Sequence, residues 1–210
     1  MAKPAYRRLD VDERRAQLLR RGAQLFAKHG YAALSMAKIA RAAGISKALL
    51  YHYFPSKRAF FAATLAQAAD ELRRRTDPDP SLPPFAQLRG SLEAFLSWVE
   101  ENAEAYEQLM LSANTVSDVR ELIDTIRELT AQRILAGLAP ADPPPRARTA
   151  VRAWLWFMDG ACLDWLHHRD IDRGDLLDLL VNTLSAALEA SGVQIPDPEG
   201  YQPRNTERPG

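Results

Sequence analysis

Between Ser35 and Phe60 the chain reads SMAKIARAAGISKALLYHYFPSKRAF, with serines, a glycine and a proline spaced as helix ends require. A serine hydroxyl accepts from the open N–H groups of a helix's first turn, so Ser35, Ser46 and Ser56 each read as an N-cap. Gly44 stands where the first of these helices must end with a left-handed residue, a conformation that penalises any Cβ. Pro55 ends the next helix. The spacing predicts a short helix over 36–43, a turn plugged by Ile45, a second short helix over 47–53 and a longer one from 57. Two short helices joined by a tight glycine-bearing turn form a supersecondary unit that reads DNA.

The helix over 47–53 separates into faces. Leu50 and Phe54 are four apart and fall on one side, as core anchors would. Lys47, Ala48, Leu49, Tyr51 and His52 are left mostly on the others. That set suits a major groove, where phosphates take Lys and Tyr and a thymine methyl accepts an apolar contact. The bland alternative is a solvated helix with two misplaced aromatics; the agreement of cap, glycine and anchor spacing favours the reading helix. Lys57 opens the next helix, where a positive dipole end and an ammonium together make a phosphate clamp. Its plainer reading is an ordinary surface charge. The candidate DNA-binding residues are therefore Ser35, Ser46, Lys47, Ala48, Leu49, Tyr51, His52 and Lys57.

Taken together, Phe26-Ala27-Lys28-His29-Gly30-Tyr31, Ile39-Ala40, Ala43-Gly44-Ile45-Ser46-Lys47, Leu50-Tyr51-His52-Tyr53-Phe54 and Lys57 resemble the N-terminal domain of TetR-family transcriptional regulators over roughly residues 11–62. Leu34 stands where the family usually has Thr, Ala48 where Gly is frequent, and Arg58 where an acid is frequent. Since Ala48 and Leu49 lie where base contacts are expected, the operator sequence does not carry over.

Charge distribution supports a polyanion partner. The chain is neutral overall, yet residues 1–75 hold 16 Lys/Arg against 5 Asp/Glu, and residues 76–210 hold 11 against 22. Such segregation suggests a polyanion-binding unit joined to a unit with another task. Few β-branched residues among abundant Ala, Leu, Arg and Glu argue for an all-α fold. The lone cysteine, Cys162, lies in an apolar run and reads as a small buried hydrophobe in a reducing compartment. With no membrane-length apolar run and no signal peptide, a cytoplasmic protein without a membrane partner is expected. Phosphate loop, nucleophile elbow and Cys/His cluster are all lacking, so neither enzyme activity, nor a cofactor, nor a metal site is expected. His167 and His168 are adjacent and point to different faces, which makes them poor joint ligands.

Nine helices are predicted, over about 11–28, 36–43, 47–53, 57–75, 85–102, 105–112, 115 or 117 to 138, 146–168 and 173–191. Leu18, Gly22, Leu25 and Phe26 form the inward stripe of the first. TDPDPSLPP (76–84) and APADPPP (139–145) are proline-rich breaks. The expected organisation is a helix-turn-helix domain over 1–56 with a basic arm (Lys3, Arg7, Arg8), a connecting helix over 57–75, a ligand-binding and dimerisation domain over 76–191, and a disordered tail over 192–210. The arm reads equally as a DNA contact or as a solvated tail.

The helix over 146–168 is apolar on most sides, with Trp156, Phe157 and Leu163 outside its main stripe, and the next adds seven Leu and Val. One chain covers both with difficulty, which favours an isologous four-helix interface with a second copy. The resemblance implies the same homodimer, and a palindromic operator whose half-sites lie roughly 34–36 Å apart. It also implies a small-molecule effector pocket among helices five to eight, with Trp98, Tyr106, Met110, Trp154, Phe157, Met158 and Asp159 as lining candidates; for any one aromatic, plain core packing is the simpler reading. Asp159, flanked by apolar residues, needs a partner if buried: solvent, Arg152 and a polar ligand group all stand. Glu100, Glu101, Glu104 and Glu107 recur at helical spacing; a solvated face is the simpler reading, a cation site the alternative. The expected function is a ligand-responsive regulator, a repressor released by its effector. The alternative is a helical small-molecule-binding or interaction protein without sequence-specific DNA binding.

Overall fold

The computed structural model describes residues 11–138 and 142–193. Among them the chain forms nine helices and no strand: α1 (Val11–His29), α2 (Met36–Ala42), α3 (Lys47–Tyr53), α4 (Lys57–Arg75), α5 (Pro84–Glu101), α6 (Ala103–Thr115), α7 (Ser117–Leu138), α8 (Pro145–His168) and α9 (Arg173–Ala190). The expected order holds, and α6 runs longer at its C-terminal end. The basic arm and the tail beyond Val193 lie outside the described residues.

The chain divides into two compact units whose segments interleave along the sequence. One takes the described residues through Glu71 together with Glu104–Leu122; the other takes Leu72–Ala103 and the residues from Ile123 onward. The proline-rich stretch after α4 is thus internal to the second unit. There Thr76 is buried, its carbonyl accepting from the Ser91 hydroxyl at 2.8 Å and its hydroxyl oxygen from Arg133 at 3.3 Å.

In the first unit, apolar periodicity sets the core. Leu18, Leu19 and Phe26 of α1, Ile39 and Ala40 of α2, Leu50 and Phe54, and Phe60 and Phe61 of α4 are each at most 6% exposed. Leu19 joins this core, while Leu25, expected there, is half-buried. The rings meet edge-on or tilted, as their quadrupoles favour: Phe26–Phe61 centroids are 4.6 Å apart, Phe54–Phe60 4.8 Å and Tyr31–Phe61 4.9 Å. At Gly22, α1 comes so close to α4 that a Cβ would stand 2.5 Å from Phe60 Cζ.

In the second unit α5, α8 and α9 pack together. Leu92, Leu96 and Val99 of α5, Val151, Leu155 and Cys162 of α8, and Leu176, Leu180, Leu184 and Leu188 of α9 are all buried. One chain was expected to cover α8 and α9 with difficulty, and it covers them in part. The inward leucines of α9 are at most 3% exposed in the single chain, because α5 fills the space beside them. An outer strip stays open, with Trp156 56%, Phe157 40% and Leu179 45% exposed. Buried Trp154 donates its indole N–H to the Leu180 carbonyl at 3.0 Å, tying α8 to α9. At the start of α9, Arg173 reaches Glu93 at 3.1 Å and Glu100 at 3.0 Å. Glu100 also pairs with Arg169, which ends α8 in the left-handed region (φ 55°) and lies over the Trp165 ring. Glu101 pairs with Arg75, so these two glutamates hold helices together. The expected tail starts too early. Val193 is buried, and its N–H reaches the Leu188 carbonyl past Gly192 at φ 86°.

Candidate nucleic-acid interface

Local chemistry builds the reading unit. Ser35 accepts from the Lys38 N–H at 3.3 Å, Ser46 from Leu49 at 3.1 Å and Ser56 from Ala59 at 3.0 Å, so three helices begin on a serine oxygen. Gly44 takes φ 68°, which lets the Ile45 N–H reach the Ala40 carbonyl at 3.0 Å and its own N–H reach Arg41 at 3.1 Å. This paired closure satisfies the last carbonyls of α2 and aims α3. Leu50 and Phe54 hold α3 from inside.

The outward face of α3 carries Lys47, Ala48, Tyr51 and His52, all exposed, with Leu49 half-buried beside them. The Lys47 ammonium lies 5.7 Å from the Tyr51 ring centroid, one helical turn on. The short, rigid face offers a cation, a phenol, an imidazole and two apolar groups, a surface able to touch phosphates and base edges together. The hydroxyl oxygens of Ser35 and Ser46 are engaged as the caps of α2 and α3.

Lys57 lies differently from a free clamp. Its ammonium donates to the carbonyls of Tyr31 and Leu34, each at 3.1 Å, and stands 4.1 Å from the Tyr31 ring centroid. It clips the α1–α2 corner onto α4, leaving one of three donors for anything else. Arg58, which sequence reasoning noted only as a departure, reaches Asp118 at 2.7 Å and Glu121 at 2.6 Å. The Tyr31 hydroxyl donates to the other oxygen of Asp118 at 3.2 Å. Burial, and then the bond to Asp118, raise the Tyr31 phenol above its ordinary range.

The effector candidates do not gather in one unit. Tyr106 and Met110, both buried on α6, belong to the first; Trp98, Trp154, Phe157, Met158 and Asp159 belong to the second. Trp154 is a core tie, and Phe157 faces outward with Trp156. Asp159 is 8% exposed and its partner is Arg127, at 2.8 and 2.9 Å; Arg152 pairs instead with Glu128. Arg127 also meets Asp124 at 2.9 Å and lies 3.8 Å over the Trp156 ring. Among the described residues no group of three or more His, Cys, Asp or Glu is placed to hold a metal, and no helix is long and apolar enough to cross a membrane.

A capped, glycine-turned helix pair presenting one polar helix face defines a helix-turn-helix DNA-binding protein. Residues 18–64 match the family described as "Bacterial regulatory proteins, tetR family", and residues 84–187 match "Tetracyclin repressor-like, C-terminal domain". The crystal structure of a tetR-family transcriptional regulator from Streptomyces coelicolor is 32% identical, with TM-score 0.73 over 88% of this chain and 84% of that one. The HTH-type transcriptional activator FasR of Mycolicibacterium smegmatis is 37% identical over 105 residues, 47% of this chain and 46% of FasR. The HTH-type transcriptional repressor DhaR of Mycobacterium sp. is 28% identical over 108 residues, 50% of this chain and 54% of DhaR. The match thus spans about half the length of these two curated relatives. The chain belongs to the TetR family of DNA-binding transcriptional regulators.

Proposed function

We propose that this regulator binds a palindromic operator as a homodimer, represses from it, and is released by a small-molecule effector. The observation that carries the DNA part is the outward face of α3, held rigid by the Ser46 cap, the Gly44 closure and the Leu50 and Phe54 anchors. Lys47, Ala48 and Leu49 are assigned to sequence preference, Tyr51 to a phosphate and His52 to the groove edge. The open strip of Trp156, Phe157 and Leu179, with Gly160 between them in sequence and nothing within 4 Å of a Cβ built there, supports a second copy seated on α8 and α9. The effector is assigned to the second unit, near half-buried Trp98 and buried Met158. Since α4 runs from the first unit into the second, it is the natural lever between effector and operator. The two ligands then antagonise each other reciprocally, with a coupling on the order of 1–3 kcal/mol.

The test is in vitro selection of duplexes by the intact protein, followed by titration. A palindrome should emerge, bound less tightly as salt rises, because phosphate contacts release counterions. Tyr51→Ala should weaken binding on every sequence, and changes at Lys47 or Ala48 should alter which sequence is preferred. Selection that returns no common sequence would exclude specific reading.

A further inference from the structure

Two consecutive cations open α4, and each is held by groups from elsewhere in the first unit. Lys57 holds the Tyr31 and Leu34 carbonyls, while Arg58 bridges Asp118 and Glu121. Tyr31 joins the two: its carbonyl and ring take Lys57, and its hydroxyl donates to Asp118. The far side of this cluster is held by hydrogen bonds of its own. Arg120 donates to the Ala113 carbonyl at 3.2 Å and the Asn114 carbonyl at 2.9 Å, bracing the α6–α7 turn from within. At the other corner Gly30 turns at φ 69°, and a Cβ there would stand 3.2 Å from Gln108 Oε1, so α6 lies close against the end of α1.

The geometry points to Arg58 as a positioning residue for DNA reading, acting with Tyr31 as a latch that fixes the helix-turn-helix on the α6–α7 turn through Asp118 and Glu121. The inference rests on α3 reading DNA. It goes beyond that reading by assigning part of the DNA affinity to two carboxylates, groups that repel phosphate. Without the latch, the α1–α2 corner keeps Lys57 and the Tyr31–Phe61 packing but loses its tie to the α6–α7 turn, and α3 samples more orientations than one groove accepts. Arg58 stands where the family frequently has an acid, so this latch belongs to this chain's own residues.

The cluster makes opposite predictions from simple charge counting. Neutralising Asp118 and Glu121 removes two negative charges, and charge counting alone predicts tighter binding to a polyanion. The latch predicts weaker binding. The experiment titrates full-length wild type, Asp118→Asn/Glu121→Gln, Arg58→Glu, Glu121→Arg and Arg58→Glu/Glu121→Arg against the duplex selected by wild type and a scrambled duplex, at one fixed salt. Circular dichroism and melting of each variant confirm that it is folded.

The double neutral variant is expected to lose a few-fold in affinity for the selected duplex, with little change on the scrambled one. Arg58→Glu should lose more. Arg58→Glu/Glu121→Arg should recover most of that loss, because the exchanged charges face each other again and the new cation also lies near Asp118. A double neutral variant that binds the selected duplex as tightly as wild type, or tighter, overturns the latch. So does a swapped variant that stays as weak as Arg58→Glu, the behaviour of a direct phosphate contact at position 58. If wild type itself selects no duplex, the reading of DNA by α3 fails, an outcome separate from either of these.

Discussion

At Gly22 the missing Cβ makes room for Phe60: an added methyl would stand 2.5 Å from Phe60 Cζ and 2.9 Å from Thr64 Oγ1. Phe60 is wholly buried and ringed by Phe26 and Phe54, so it has little room to retreat. Gly22→Ala should therefore cost about 1–3 kcal/mol of stability through overpacking, read from a denaturant midpoint. Gly44 differs in kind. Nothing lies within 4 Å of a Cβ there, and its φ of 68° alone demands glycine. Asp159 carries the other large residue-scale effect. Its loss leaves Arg127, whose side chain is 15% exposed, with Asp124 as the carboxylate still paired to it. Asp159→Ala should destabilise by about 3 kcal/mol, the low end for breaking a buried pair, because Asp124 remains. Asp159→Asn should cost less, since its amide oxygen still accepts; equal midpoints for the two would mean that charge alone matters at this site.

Helix ends were legible because caps are local. Ser35, Ser46, Gly44 and the prolines before α5 and α8 act on backbone groups a few residues away, so sequence spacing alone announces them. The exposed face of α3 followed from Leu50 and Phe54 by helical period. The ties between elements were not legible. Tyr31 finds Asp118 across 87 residues and Arg127 finds Asp159 across 32, and a chain with 27 cations and 27 acids offers too many pairings for spacing to select one. Helix ties also set the acid response. Hydrogen bonding to Arg75 holds Glu101 below its ordinary range, and hydrogen bonding to Arg152 does the same for Glu128. A lowered folded value means that the contribution is present above the unfolded value, ordinarily 4.5, and is lost as pH falls through the folded one. Stability should hold from neutrality to near that value and fall below it, with Glu101→Gln or Glu128→Gln removing part of the slope. Melting temperature followed against pH checks this; an identical acid limb in both variants would place the transition elsewhere.

At the scale of the whole molecule, apolar period could not tell core from interface. The Leu and Val of α9 read as part of an interface with a second copy, yet Leu180 and Leu184 among them are wholly buried within one chain, so a charge at either should unfold the protein. The outer strip is where a dimer would be broken cleanly. Phe157→Glu with Leu179→Glu should leave helical content unchanged and halve the sedimenting mass; a wild type that sediments as a monomer at micromolar concentration would remove the dimer. The interleaving of the two units has a further consequence, one of timing. Chains fold as they are made, at about 5–20 residues per second. The helices that read DNA are synthesised early, but Asp118 and Glu121 arrive some fifty residues after α4 leaves the first unit at Glu71. A nascent chain therefore exposes its basic, DNA-seeking helices for seconds before the partners of Tyr31 and Arg58 exist. Until those partners emerge, the recognition helix is present and its latch is not.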